Sequence, residues 1–96
     1  MDLQDQASKD LVDALLKRHL SVKVAHNVQG PVVSIQEHPQ ASVQFKMDQL
    51  GGLLVEFMFD GRRPVRLDYL PTAAAADELA QYVLEQIAGE GGRGPA

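Results

Sequence analysis

Residues 20–70 read LSVKVAHNVQGPVVSIQEHPQASVQFKMDQLGGLLVEFMFDGRRPVRLDYL. Apolar side chains recur at every second position through this stretch, which predicts strands with one buried side and one solvent-facing side. The same phase persists over five segments that are separated by four turns. We therefore predict a five-stranded antiparallel sheet in which strands adjacent in sequence are neighbours.

The lengths of the turns predict the register, because facing residues of an antiparallel pair must point to the same side of the sheet. The four turns are expected at residues 29–30, 38–40, 48–52 and 60–62. This register gives one inward row of His26, Val33, Phe45, Val55 and Leu67, and a second row of Val24, Ile35, Val43, Phe57 and Val65. On the outward side, Glu56 is expected directly opposite Arg66 as an ion pair.

Two amphipathic helices flank the strand region. Residues 3–19 carry an apolar row at helical spacing, and Thr72 is a suitable N-cap for a second helix that begins at Ala73. Gly89 is expected to end that helix. The sequence thus predicts one α+β domain over residues 1–89, in the order helix, five-stranded meander, helix, with both helices packed on one face of the sheet. Residues 90–96 are expected to form a flexible Gly-rich tail.

Composition and charge narrow the classes of protein. The 96 residues suffice for a single core, the net charge is −4, and the chain has no cysteine. The acidic balance disfavours non-specific attraction to nucleic acid or to anionic lipid. Because no apolar stretch reaches the ~20 residues of a membrane span and the first residues are acidic, we expect a soluble, cytoplasmic protein without a signal peptide.

Catalytic and metal-binding patterns are absent from the sequence. The three histidines, His19, His26 and His38, follow no recognised ligand spacing, so neither a metal nor another cofactor is expected. The serines lack the context of a nucleophile elbow. We therefore expect a non-catalytic protein. A small enzyme with a site near His26 and Glu37, to which Tyr69 contributes, is the alternative.

The basic residues cluster at one place only, at Arg62, Arg63 and Arg66. A nucleic-acid-binding protein that uses this patch is a further alternative. Sheets that bind RNA display aromatic residues for base stacking, whereas Phe45 and Phe57 share the phase of the core here. Nucleic acid is therefore not the expected partner.

The outward face of the sheet offers aliphatic residues among polar ones. Val32, Gln44, Leu54 and Met58 are the predicted protein-binding residues of this face. A homodimer is expected to use either this face or the edge strand at residues 22–26, because the last strand carries Pro64 and arginines that discourage pairing. The leading hypothesis is a protein-interaction module whose partner the sequence does not identify.

The order of elements, the size and the acidity of the chain resemble those of small dimeric secretion chaperones. Members of that group interrupt their sheet with a helix, and no helical pattern occurs between Val22 and Leu70 here. The resemblance keeps an acidic chaperone-like or adaptor protein as an alternative within the protein-binding class.

Overall fold

The computed structural model describes residues 3–92, which form a helix, five strands and a second helix. The elements are α1 (Leu3–Lys17), β1 (Val22–Asn27), β2 (Gly30–Ile35), β3 (His38–Met47), β4 (Leu53–Phe59), β5 (Val65–Asp68) and α2 (Ala73–Gly92). The strands form one sheet in the order β1-β2-β3-β4-β5, and every neighbouring pair is antiparallel. The predicted α+β meander is confirmed.

The core lies between the sheet and the two helices. Phe45 and Phe57 are the largest fully buried side chains, and each is in edge-on contact with a tyrosine ring. The helices contribute Ala7, Leu11, Ala14 and Leu15 from α1, and Ala76, Leu79, Ala80, Val83 and Ile87 from α2. Burial of a side chain such as Leu or Phe stabilises a fold by about 1.5–3 kcal/mol, so this set supplies most of the driving force for folding.

The predicted register is confirmed for the last three strands. Val43 faces Phe57, Phe45 faces Val55, and Val55 in turn faces Leu67. On the opposite side of the sheet Glu56 faces Arg66, as predicted.

The first hairpin differs from the prediction by two residues, because its turn lies at Val28 and Gln29. Val24 therefore faces Val33, and His26 faces Pro31. The cause is the side chain of Asn27, whose Oδ1 accepts hydrogen bonds from the N–H groups of Gln29 (2.9 Å) and Gly30 (3.2 Å). An asparagine that binds main-chain groups in this way fixes the position of a turn.

The second hairpin also departs from the predicted register. Strand β2 ends at Ile35, β3 begins at His38, and the register shifts between Ser34 and Ile35, so that Val33 faces Val43. Glu37 consequently lies in the turn, where its two carboxylate oxygens accept the N–H of Ser21 at 2.9 and 3.0 Å. Glu37 thus lies on neither of the two strands that it joins.

The helix ends follow recognisable capping patterns. After α1, His19 adopts a φ of 63°, its N–H binds the carbonyl of Leu16, and the Leu20 N–H reaches back to Leu15. These are the bonds of a Schellman motif, with histidine in the left-handed position that glycine usually occupies. At α2, the Thr72 hydroxyl accepts the N–H of Ala75 at 3.0 Å, which confirms the predicted N-cap.

Helix α2 extends further than predicted. It continues through Gly89 and ends at Gly92, so the expected stop at Gly89 is wrong. Gly89 has no positive φ, and it therefore continues the right-handed helix instead of terminating it. The remainder of the predicted tail, residues 93–96, lies outside the described residues.

Both edge strands remain partly open on the helix-covered face of the sheet. Val24 on β1 is 42% exposed, and Val65 and Leu67 on β5 are 38% and 36% exposed, although all three have the inward phase. The central strands β2, β3 and β4 carry the buried residues of the sheet. The helices thus cover the middle of the sheet and leave apolar side chains at its margins.

Candidate functional site

The outward face of the sheet is less open than the sequence predicts. Val32, Leu54 and Met58 are half-buried, and Gln44 is only 2% exposed. Gln44 Oε1 accepts a 2.7 Å hydrogen bond from Asn27, and its Nε2 donates to the Pro31 carbonyl at 3.2 Å. The polar groups of Gln44 are therefore bound within the protein. A partner-binding role of the four residues stays a prediction.

Three charged side chains on this face are paired with one another. The Nε of Arg66 donates to Glu56 Oε2 at 2.9 Å, and Lys46 Nζ lies 3.9 Å from the same oxygen. The Glu56 side chain is only 12% exposed, so its charge is compensated across three strands. These ion pairs neutralise the charge of Glu56 within the sheet, while the side chain of Arg66 stays 69% exposed.

The arginine cluster is engaged inside the molecule as well. The guanidinium of Arg62 lies 4.6 Å from the centre of the Phe59 ring and contacts the side-chain oxygen of Gln86 at 3.5 Å. Arg66 is bound to Glu56, while Arg63 is exposed. Fewer arginine side chains are therefore free to bind phosphate than the sequence suggests, which disfavours the nucleic-acid alternative.

The three residues of the enzyme alternative lie apart. His26 is on edge strand β1, where its Nε2 is 3.9 Å from Asp5, and Glu37 binds the main chain of Ser21. Tyr69 follows β5, at the opposite edge of the sheet. The N–H of Ser21 lowers the pKa of the Glu37 carboxyl. This hydrogen bond stabilises the charged carboxylate of Glu37. A general acid must instead hold its proton, and it therefore needs a raised pKa.

Within residues 3–92, no group of three or more histidine, aspartate or glutamate side chains is placed to hold a metal ion. Neither described helix combines the length and the apolar character needed to cross a membrane.

The free edge of β5 is open to solvent. All four residues of this strand, Val65–Asp68, are exposed. The N–H of Tyr69 binds the Leu53 carbonyl at 3.1 Å, so the odd-numbered residues direct their main-chain groups toward β4. In an antiparallel ladder this direction alternates, and the N–H and C=O groups of Arg66 and Asp68 therefore face the free edge.

A groove of about 380 Å³ lies beside this edge, between the end of β5 and α2. Its apolar and aromatic lining consists of Leu67, Tyr69, Leu70, Ala75, Leu79 and Tyr82. Two acidic residues, Asp68 and Glu78, also line it. Leu70 is 74% exposed, and Val65 and Leu67 on β5 are each more than a third exposed. We call β5, Leu70 and this groove the β5 edge site.

Tyr69 forms the inner wall of the β5 edge site. It is 9% exposed, and its ring meets Phe45 edge-on with a centroid distance of 5.8 Å. Its buried hydroxyl has no hydrogen-bond partner among the described residues. Burial and the negative charge of Asp10 raise the pKa of Tyr69 to about 12. The phenol therefore stays neutral and contributes an apolar ring to the site.

Sequence reasoning missed this site, because Pro64 and the arginines indicated that β5 is a protected strand. Pro64 precedes β5 and so does not interrupt it, and Arg66 is held by Glu56 on the outward face. Leu70 could have indicated the site, because this apolar residue comes after the alternating pattern of the last strand and directly before Pro71.

Comparisons with protein-family models, with curated proteins and with solved structures found no match to this chain.

Proposed function

We propose that this protein is a non-catalytic protein-interaction module that binds an extended polypeptide segment at the β5 edge site. The observation that carries the proposal is the conjunction of an unpaired strand edge with an apolar groove. The N–H and C=O groups of Arg66 and Asp68 offer main-chain hydrogen bonds, and Leu67 and Leu70 offer apolar contacts beside them. Addition of a strand to an open edge uses both kinds of contact.

The main-chain hydrogen bonds and the apolar contacts have different effects on binding, and together they indicate which segments bind. Main-chain hydrogen bonds contribute affinity without regard to sequence, whereas side chains at alternate positions of the segment determine specificity. The side chains on the groove side meet Leu67, Leu70 and Tyr82, which are apolar or aromatic. We expect a ligand with apolar residues at every second position. The absence of cysteine suits a reducing compartment, and we propose that the module acts in the cytoplasm.

A peptide-display selection tests the proposal without the need to identify a partner first. The protein is immobilised at low density and exposed to a library of random peptides. We expect the wild type to enrich peptides with alternating apolar residues, and the variants Leu67→Glu and Leu70→Glu to lose at least about tenfold in affinity for them. A charge at either position is buried without a partner when a segment binds.

Val28→Glu is the matched control, because Val28 is fully exposed in the β1–β2 turn, at the opposite edge of the sheet. This variant introduces the same charge without touching the β5 edge site, so it should retain binding. Circular dichroism confirms that each variant is folded. If no peptide is enriched, or if the enriched peptides bind Leu67→Glu as well as they bind the wild type, the proposal is wrong.

A further inference from the structure

The geometry points to a second copy of this chain as the segment that pairs with β5, in an antiparallel contact whose two-fold axis passes through Leu67. This inference rests on the proposed function, because it names the segment that occupies the β5 edge site. The two sheets then form one continuous sheet with all helices on the same face. Such an isologous contact is the commonest arrangement in homo-oligomers.

Charge complementarity selects the register. The main-chain groups of Arg66 and Asp68 face the free edge, so the two strands can pair with Arg66, Leu67 or Asp68 on the axis. An axis through Arg66 places two arginines opposite each other, and an axis through Asp68 places two aspartates opposite each other. An axis through Leu67 places Arg66 opposite Asp68 of the second copy, twice by symmetry. Directly opposite charges stabilise a strand pair and like charges destabilise it.

The same register also gives the main-chain N–H and C=O groups at the edge hydrogen-bond partners. With Leu67 on the axis, Arg66 of one copy and Asp68 of the other exchange N–H···O=C bonds in both directions. Pro64, which has no N–H, falls opposite Leu70 of the second copy, at the end of the ladder. The proline therefore limits the length of the contact without interrupting its centre.

Apolar side chains are covered on the helix side of this contact. Leu67 lies against Leu67 of the second copy, and Val65 lies opposite Tyr69. Val65 and Leu67 are more than a third exposed in the single chain although they have the inward phase of the sheet. The pairing places them against a second apolar edge, which removes further apolar surface from water.

The other edge of the sheet lacks this complementarity. If β1 pairs with itself around Val24, Lys23 falls opposite Ala25, and no opposite charge meets the lysine. The register that places Lys23 on the axis sets two lysines face to face. Strand β5 is therefore the edge that fits a second copy.

Cysteine cross-linking tests the axis directly, because the natural chain has no cysteine. Across an axis at Leu67 the two residues form a non-hydrogen-bonded pair with Cα atoms about 4.5 Å apart, within the range of a disulfide. We expect Leu67→Cys to form a disulfide-linked dimer on mild oxidation. Val65→Cys is the matched control, because its two copies lie about 13 Å apart along the strands and cannot be bridged. A linked dimer of Val24→Cys, with none of Leu67→Cys, assigns the contact to β1 and overturns the inference.

Charge reversal tests the register in the absence of cross-links. Arg66→Glu and Asp68→Lys, each alone, place like charges opposite each other, and we expect self-association to weaken on the order of tenfold. An equimolar mixture of the two variants restores both opposite-charge pairs and should form heterodimers of wild-type affinity. That recovery also shows that both variants are folded. Lys23→Glu on β1 is the control, since it makes the same change in net charge at the other edge.

Sedimentation velocity over a concentration series measures each of these states. Association of the wild type with recovery in the mixture supports the inference. Association that Arg66→Glu leaves unchanged overturns the register, and a wild type that is monomeric at high micromolar concentration overturns the homodimer. If the wild type is monomeric but still enriches peptides, and Leu67→Glu loses this binding, only the inference that a second copy occupies the β5 edge site is refuted. A monomer that enriches none refutes the proposed function as well.

Discussion

The side-chain amide of Asn27, on edge strand β1, donates a 2.7 Å hydrogen bond to Oε1 of Gln44, on central strand β3. Gln44 in turn donates to the carbonyl of Pro31, on the strand between them. The two side chains thus bind three strands together on the outward face. Asn27 also sets the first turn through the N–H groups of Gln29 and Gly30. One residue therefore fixes both the turn and the buried amide that stabilises the hairpin.

Removal of this buried amide should destabilise the fold. Gln44→Leu keeps a side chain of similar size but leaves the Pro31 carbonyl without its donor, and we expect the free energy of unfolding to fall by about 1–3 kcal/mol. Urea denaturation monitored by circular dichroism measures the change. Gln36→Leu, at an exposed position of the β2–β3 turn, is the control and should alter stability by less than about 0.5 kcal/mol. Equal effects of the two substitutions contradict the buried role of Gln44.

A second prediction concerns Gly30, which begins β2 with a φ of 135°. A Cβ atom at this position meets the side-chain amide of Gln4 and lies 2.6 Å from the Phe45 carbonyl oxygen. Backbone strain and this close contact act together, so Gly30→Ala should cost about 2–4 kcal/mol of stability. Thermal and urea denaturation measure the loss.

Gly61→Ala separates the two causes. Gly61 has a φ of 81°, and nothing lies within 4 Å of the position that a Cβ atom would occupy, so only backbone strain opposes the substitution. We expect a cost of about 1–2 kcal/mol there. If Gly30→Ala costs no more than Gly61→Ala, the close approach of Gln4 and Phe45 to Gly30 does not stabilise the native packing.

The contrast between the correct and the incorrect registers has a physical reason. Alternation of apolar residues determines which face each strand buries, and it does so equally well if a strand slides by two residues. For β3, β4 and β5 the turn lengths read from the sequence are the right ones, and Phe45 faces Val55 and Phe57 faces Val43 as predicted. The first hairpin is set by a side-chain-to-main-chain bond of Asn27, which periodicity does not encode.

The candidate site was harder to predict than the fold, for a related reason. Periodicity marks Val65 and Leu67 as inward residues, but it does not show that the helices leave them partly uncovered. Coverage depends on where α2 crosses the sheet, and that is a tertiary property. Gln44 illustrates the reverse case, since its outward phase gives no indication that neighbouring strands bury it.

The buried phenol of Tyr69 should make stability depend on alkaline pH. The pKa of Tyr69 is raised to about 12 by burial and by the charge of Asp10, whereas the unfolded value is about 10. The unfolded state therefore loses its proton first, and stability that is fully present below pH 10 is lost as the pH rises toward 12. The expected loss is on the order of 2–3 kcal/mol.

Tyr69→Phe should remove this pH dependence. The substitution also deletes a buried hydroxyl that has no partner within residues 3–92, so we expect stability at pH 7 to stay unchanged or to rise by about 1 kcal/mol. Urea denaturation at a series of pH values from 7 to 12 measures both effects. Tyr82→Phe is the control, because it removes a half-buried phenol of α2 and should leave the alkaline loss in place. An identical alkaline loss in Tyr69→Phe and the wild type refutes the assignment.

The last prediction tests the extension of α2 beyond its expected end. Gly89 lies inside the helix without a positive φ, and nothing is within 4 Å of the position its Cβ would occupy. Alanine there restricts the unfolded chain and favours the helix, so Gly89→Ala should raise stability by about 0.5–1 kcal/mol. The reciprocal change Ala88→Gly, at the exposed neighbouring position, should lower it by a similar amount. Had the helix ended at Gly89 in the left-handed conformation, alanine would cost about 1 kcal/mol instead. The sign of the change in urea denaturation therefore decides between the two helix ends.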